Sequence, residues 1–574
     1  MRTLEYEEGY KLKFLVTSAL PYAYAPRHFG HLAGAYLPAD IFVRFRRLMG
    51  DDVLYVCGTD ENAASIILEA LREGVTPREV CDKNYPMQRD TFARLGVKFD
   101  IFSRTSYDVH YETVSEFYRV LWDKRYIEEK QIKQLYCPNC KKILPDRFVK
   151  GICPVCGTPD QYGESCEKCA TWYEAYELVD PRCTICGTKP EVVDSTHYFL
   201  KLSKLTDLVL GYIRPKRFWR KATYNKTVSQ LENEGLRDKD ITRDYDWGPP
   251  APFPNAKSQV IYNWAENLLG YVSATKDWAR KHGRPETWKD YWLNRDCRLC
   301  CFIGKDNLFF HTILFPAVLI AHGDFVLPHN VVVNEFVNLE GQKLSTSRGW
   351  VVWLHDMLER YSPDMIRYYA AIIAPEVKDT DFKWKDFQTK INDELIATLG
   401  NYVNRVLLFA YNQFNGTIPE PGELAEEDKE VLGHIQEAAK EERDHLEKTE
   451  LQAGLRAAFR LAQRGNQYLN SKQPWNNKQE APRTIYISTQ ILNGLSVLIQ
   501  PYLPFTAAKI REYLNADRPE TEIRWTDLER EIGPGHKIRK PQPLFKKISD
   551  EEVEAEMTRL NEALAEKSQS KTDP

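Results

Sequence analysis

Three sets of residues in this chain have the types and spacing to do chemistry. The first is His28-Phe29-Gly30-His31, which closes the stretch FLVTSALPYAYAPRHFGH at residues 14–31. An apolar strand there gives way to a loop broken by two prolines and then to a helix N-terminus, where unpaired N–H groups converge on an anion. Gly30 lets a ligand approach the backbone, and two imidazoles can donate hydrogen bonds to phosphate oxygens. The second set is the loop Leu339-Glu340-Gly341-Gln342-Lys343-Leu344-Ser345-Thr346-Ser347-Arg348-Gly349. A hydroxyl-rich loop with a lysine can close over a triphosphate and neutralise charge as pyrophosphate leaves, although most loops of this composition are plain surface turns. The third is four Cys-x-x-Cys pairs, Cys137/Cys140, Cys153/Cys156, Cys166/Cys169 and Cys183/Cys186. Eight thiolates supply two tetrahedral sites of the structural zinc type, closed to substrate and suited to holding a fold together. Cys297, Cys300 and Cys301 lack further partners and read as core residues.

The elements that must position these groups follow from the apolar pattern. Phe14–Val16 and Asp52–Val56 read as buried strands, and helical patterning covers 32–47, 63–74 and 77–95, an alternation that predicts a parallel α/β sheet. It halts near Tyr126, at the cysteine-rich insert, and strands resume at Gln259–Tyr262 and Cys301–Ile303. The second of these leads into Gly304-Lys305-Asp306, a polar cluster at the carboxyl end of a strand, where open α/β sheets bind ligands. From Asn392 the pattern is helical without strand signals, as in an all-α bundle. Leu395, Leu399, Tyr402, Val403 and Val406 share one face of its first helix. Asn401 and Arg405 lie on the other, where they can read a base edge, and Trp475 can stack on an unpaired base. The plainer readings are an exposed polar pair and a core tryptophan. A charged helix from Ser549 runs into a polar tail, Lys567–Pro574, expected to be disordered.

At 574 residues the chain is too long for one core. A net charge of -4 excludes an overall basic signature for nucleic acid, leaving only local clusters such as residues 213–221 to touch a phosphate backbone. There is no basic-then-apolar leader, and the longest apolar run, Leu308–Ala321, is too short for a membrane span. A cytoplasmic location, without membrane attachment, is therefore expected, with the cysteines reduced.

Taken together, Ala19-Leu20-Pro21-Tyr22, His28-Phe29-Gly30-His31, Leu144-Pro145-Asp146-Arg147 beside the knuckles, Phe302-Ile303-Gly304-Lys305-Asp306 and Lys343-Leu344-Ser345-Thr346-Ser347 resemble the class I aminoacyl-tRNA synthetases, and among them the methionyl-tRNA synthetase family in its archaeal-like form with two zinc knuckles. The resemblance runs from about Phe14 to Lys547. It implies a Rossmann-type catalytic domain split by a zinc-binding insertion and followed by a helical anticodon-binding bundle. The corresponding divisions are 10–125 and 236–345 for the catalytic halves, 126–235 for the insertion, 346–390 for the signature loop and stem contact, 391–530 for the bundle and 531–574 for a linker helix and tail.

The resemblance also implies roles. His28, Gly30 and His31 would hold ATP, with Lys343, Ser345, Thr346 and Ser347 clamping its phosphates and Asp306 meeting the ribose. Asp60, paired with Arg243, and backbone near Leu20 would hold the substrate ammonium. Ala19, Leu20, Tyr22, Trp264, Tyr271, Phe310 and His311 would surround the methionine side chain, whose polarizable thioether suits an aromatic wall. The inner cysteine pairs would form one zinc site and the outer pairs the other, and Asn401, Arg405 and Trp475 would read the CAU anticodon of tRNA(Met). Mg²⁺ would accompany ATP. A monomer is expected, since no appended dimerisation domain follows the bundle.

Several positions depart from the family pattern. Tyr24-Ala25 stands for Asn-Gly, Glu61-Asn62-Ala63 for Glu-His-Gly, Glu266-Asn267-Leu268-Leu269-Gly270-Tyr271 for Asp-Ala-Pro-Ile-Gly-Tyr, and Thr346 for a second lysine. Two alternatives to methionine activation follow: a paralogue that adenylates another amino acid or has a binding role, and a zinc-knuckle nucleic-acid binder. Asp160, Glu164, Glu167, Glu174 and Glu177 among the knuckles argue against the latter.

Overall fold

The computed structural model describes residues 11–163, 165–166, 168–169, 171, 173–256 and 258–569, with side chains throughout except at Asp146, Ser347, Ser568 and Gln569. Five strands, β1 (Lys13–Ser18), β2 (Asp52–Thr59), β3 (Ile101–Arg104), β4 (Cys297–Gly304) and β5 (Pro328–Asn334), form one sheet in the order β5-β4-β1-β2-β3. All neighbours are parallel, with Lys13 beside Cys297 on one side and Asp52 on the other. Alternate residues face opposite cores. Phe14, Val16, Tyr55, Cys57, Phe102, Cys300 and Phe302 enter one, and Leu15, Leu54, Val56, Ile101, Leu299, Cys301 and Ile303 the other. A sheet covered on both faces explains why these strands read as unbroken apolar runs, and why Cys300 and Cys301 are core residues.

The strand expected at Gln259–Tyr262 does not join this sheet. Only Val260–Ile261 is extended, paired antiparallel with Thr242–Arg243 in a two-stranded ribbon. The insertion is carried on a long hairpin, Ile127–Cys137 against Glu191–Leu200, registered from Ile127/Leu200 to Tyr136/Glu191, with the cysteine knuckles at its far end. The basic cluster at 213–221 is partly structural. Arg220 donates to the carbonyls of Val333, Glu376 and Thr449 at 2.9, 3.1 and 2.9 Å, and Trp219 is buried, so neither is available to a phosphate backbone.

After a small three-stranded sheet of Val337–Leu339, Gln342–Lys343 and Thr380–Phe382, the chain is helical, through Glu426–Glu447, Leu451–Lys472, Ala481–Leu498 and Pro504–Tyr513. Leu395, Leu399, Tyr402, Val403 and Val406 are all buried, as their shared face predicts. The final helix, Asp550–Gln569, includes Lys567, expected to open the disordered tail; residues 570–574 of that tail lie outside the described residues. No helix among the described residues is long and apolar enough to cross a membrane.

The bundle is joined to the sheet through charge. Asp40, on the helix that follows the His28–His31 turn, accepts from Arg44 Nε at 2.8 Å and Arg367 Nη2 at 2.7 Å, and all three side chains are at most 2 % exposed. Arg367 also donates to the carbonyls of Tyr502 (2.7 Å), Pro501 (2.9 Å) and Leu95 (3.2 Å). Burial acts to raise the Asp40 pKa, but the guanidiniums of Arg44 and Arg367 outweigh it and hold the carboxyl below its ordinary value. Removing one partner of such a network leaves the others desolvated and unpaired. Arg367→Met is therefore expected to cost about 3–5 kcal/mol in chemical denaturation. Because the Asp40 pKa is depressed, its contribution is full above the unfolded carboxylate pKa and is lost as pH falls through the lower folded one.

Candidate active site

A topological switch point lies between β1 and β4, because the chain moves outward from β1 through β2 and β3 on one side and from β4 to β5 on the other. Ligands of such sheets sit beyond the carboxyl ends of the strands at that point. There the chain brings together Ala19–Tyr22 after β1, Asp60 after β2 and Lys305-Asp306 after β4.

The two signature segments meet over this edge. Phe29 N–H donates to Val352 C=O at 3.0 Å and Leu354 N–H to Arg27 C=O at 3.0 Å, so the His28 turn is bonded to the chain just after the lysine loop. A Cβ at Gly30 would stand 2.9 Å from Leu344 Cδ1, so the two segments approach closely here and a larger residue would have to displace the Leu344 side chain. The His28 and His31 rings stack at 3.5 Å. His31 Nδ1 accepts from the His28 backbone N–H at 3.2 Å, which leaves the His31 proton on Nε2. Burial, reinforced by Arg27, pushes His28 down to about 3, and burial with His28 and Arg27 pushes His31 well below its usual value. Both imidazoles are thus neutral donors at pH 7.

Lys343 is exposed on a short hairpin, Gln342–Lys343 against Val337–Leu339. Beyond it Ser345 pairs with Trp350 through two backbone hydrogen bonds, and Thr346–Arg348 makes a tight turn closed by Gly349 at φ +73°. The Ser347 hydroxyl lies outside the described side chains. The last helix packs against this turn, since a Cβ at Gly349 would meet Ala563 O at 2.5 Å. That helix is held by ion pairs from Arg360 to Glu556 and from Lys385 to Asp550.

Expected pocket residues also converge. Tyr271 O–H donates to His311 Nε2 at 2.8 Å, because His311 Nδ1–H is taken by the Asn307 carbonyl at 3.1 Å. Trp264 and Phe310 meet edge to face at 5.0 Å. Tyr24 stacks on Tyr22 at 5.9 Å, and Arg27 and Gln88 both donate to the carbonyls of Tyr22 and Ala25, holding the loop where the family has its Asn-Gly turn.

One expected pair does not form. Arg243 ion-pairs with Asp240 and lies with its guanidinium 3.8 Å from the Tyr262 ring centre, because its strand is registered against Val260–Ile261. Asp60 is held instead by Asn263 Nδ2 at 2.7 Å and Asn267 Nδ2 at 3.0 Å. Behind it Glu266 contacts His110 Nε2 at 2.5 Å and accepts from Asn62 and Asn263 at 3.3 and 3.2 Å. Burial and the nearby Glu266 push Asp60 up to about 7, while burial pushes Glu266 up to about 8 and His110 down to about 3. Near neutral pH Glu266 accordingly keeps its proton and donates it to His110, whose Nδ1–H donates to Ser273 Oγ at 2.9 Å. Asn263, His110, Arg27 and Gln88 carry no local signature of these roles; the signals near them are the departures at Glu266-Asn267, Asn62 and Tyr24-Ala25.

The cysteines form two clusters, Cys137, Cys140, Cys183, Cys186 and Cys153, Cys156, Cys166, Cys169, with the sulfurs of each within 4.8 Å of one another. Contacts of 3.5 and 3.9 Å recur in both, against an edge of about 3.8 Å for a tetrahedron of Zn–S bonds of about 2.3 Å. In the bundle, Arg405 donates to Asn470 at 2.7 Å and lies 5.1 Å from the ring centre of Trp475. Trp475 is 45 % exposed rather than a core residue, and Asn401 is exposed on the same helix as Arg405.

Comparison with known proteins agrees with this geometry. Residues 14–407 match the family model "tRNA synthetases class I (M)", and residues 418–564 match "Anticodon binding domain of methionyl tRNA ligase". The chain is 42 % identical to a methionine–tRNA ligase of Salinibacter ruber, with 98 % of this chain and 82 % of that protein aligned. It is also 42 % identical to one of Pyrococcus abyssi, over 94 % of this chain and 76 % of that protein. A Mycobacterium tuberculosis methionyl-tRNA synthetase solved in complex with methionyl-adenylate superposes with a TM-score of 0.76 at 25 % identity, covering 93 % of this chain and 99 % of that one. With both parts of the chain matched and such identity along nearly its whole length, the chain belongs to the methionyl-tRNA synthetase family of class I aminoacyl-tRNA synthetases.

Proposed function

We propose that the chain performs the reaction of its family, activating methionine with ATP and transferring the methionyl group to tRNA(Met), with the following division of labour. The observation that supports it best is the contact between the His28–His31 turn and the Lys343 loop over the switch point, a two-sided clamp for a polyphosphate. The methionine carboxylate attacks the α-phosphorus in line; its oxygen–phosphorus bond forms as the bond from the α-phosphorus to the α,β-bridging oxygen breaks, and pyrophosphate leaves with that oxygen. Neutral His28 and His31 donate to the phosphate oxygens as charge develops, and Lys343 faces the leaving pyrophosphate. Asp306 binds the ribose. Mg²⁺ bound to the nucleotide supplies further charge neutralisation.

Asp60 receives the substrate ammonium, and Trp264, Tyr271, Phe310 and His311 with Ala19, Leu20 and Tyr22 enclose the side chain. The ribose hydroxyl at the tRNA terminus then attacks the methionyl carbonyl and AMP leaves, while Arg405, Trp475 and Asn401 hold the anticodon. The two cysteine clusters each hold one zinc ion and keep the knuckles folded at the end of their hairpin.

Amino-acid-dependent ATP–pyrophosphate exchange tested with all twenty amino acids is expected to respond to methionine, and Lys343→Ala to lower its kcat by about 100-fold or more. Exchange with a different amino acid and not with methionine would overturn the substrate assignment. Trp475→Ala should leave exchange unchanged and lower kcat/KM for charging a tRNA(Met) transcript about 10- to 100-fold, the loss of one stacked base. Metal analysis should return two zinc ions per chain for the wild type and one for Cys153→Ser.

A further inference from the structure

We infer that Asn267 binds the amino-acid substrate directly, its side-chain oxygen accepting a hydrogen bond from the α-ammonium group beside Asp60. The inference rests on the reading of this site as the amino-acid pocket. Asn267 Nδ2 donates to Asp60 Oδ2 at 3.0 Å, and once Asp60 is ionised opposite an ammonium group its oxygen only accepts, which fixes the amide orientation. Asn267 Oδ1 is then turned away from Asp60, buried, and without a hydrogen-bond partner among the described residues. A buried acceptor in this condition is costly unless a ligand brings the donor.

The surroundings specify that donor. Asn263 Nδ2 occupies the other Asp60 oxygen at 2.7 Å, so the carboxylate is aligned by two neutral amides rather than by a cation that would compete with an ammonium for it. The turn bearing Asn267 lies against the chain after β1, since a Cβ at Gly270 would fall 2.7 Å from Leu20 Cδ1. An α-ammonium group has three N–H bonds to place, and Asp60 with the Asn267 oxygen offers adjacent acceptors for two of them. Asn267 is partly exposed and Asn263 buried, and Asn267 Oδ1 itself is closed to solvent, as Asp60 is.

The test compares Asn267→Ala with wild type in ATP–pyrophosphate exchange, using as inhibitors methioninol and its deamino counterpart 4-(methylthio)butan-1-ol, which lacks only the amine. The expected result is a methionine KM raised about 10- to 100-fold, as for a hydrogen bond to a charged group, with the ATP KM unchanged. Methioninol inhibition should weaken by a similar factor and inhibition by the deamino compound by less than twofold. Equal weakening of both inhibitors, or of neither, would overturn the inference and leave Asn267 a shaping residue. An unchanged ATP KM and thermal midpoint exclude misfolding. Should wild type respond to another amino acid, the substrate assignment fails, and the same comparison with that amino acid's α-amino and deamino alcohols still decides the role of Asn267.

Discussion

The arrangement of this molecule depends on one buried carboxylate. Asp40 stands on the helix that begins at the His28 turn, and it collects Arg44 from its own helix, Arg367 from the segment after the signature loop and the Lys98 N–H at 2.8 Å. Through Arg367 the same network reaches the Pro501 and Tyr502 carbonyls in the bundle. Ions in a dry interior tolerate little displacement, because the desolvation they have undergone is recovered only at close contact. The sheet and the helices of the bundle are thereby tied together by a contact that lies outside the candidate active site. The charge lies within a continuous apolar core that runs from the sheet into the bundle.

The amino-acid site follows a related logic with neutral groups. Its acid, Asp60, is aligned by amides, and the carboxyl behind it retains its proton. Tyr271 and His311 nearby are likewise fixed in complementary donor and acceptor states by the Asn307 carbonyl. The departures from family pattern at Asn62, Glu266 and Asn267 lie in one hydrogen-bonded network, Asn62 bonding Glu266, Asn267 bonding Asp60 and Asn263 joining the two carboxyls.

Much of this was legible in the residues. Apolar side chains at successive positions in Phe14–Val16 mark a doubly covered strand, and the cysteine spacing marks the knuckles whose two clusters the fold then assembles. Trp475 was ambiguous until its exposure beside Arg405 was seen. What escaped were pairings decided by tertiary register. Arg243 turns to Asp240 because of how a two-residue strand is seated, and Asp40 finds Arg367 across hundreds of residues. Neither leaves a local signature, since an arginine reads alike whether it will meet a substrate-binding aspartate or a structural one. The same holds for Gln88 and Arg27, ordinary helix and loop residues until the Tyr22–Ala25 turn lies beneath them.

The seating of the last helix on the signature loop has a consequence for biosynthesis. Gly349 meets Ala563, so the loop's neighbour emerges from the ribosome 214 residues after the loop itself (563 minus 349). At about 5–20 residues per second that is a delay of roughly 10 to 45 s. During this interval the nascent chain carries its His28–His31 turn and its cysteine knuckles, yet the lysine loop stands without its brace. A synthetase built this way completes the packing around its signature loop late in its own translation, the process it supplies.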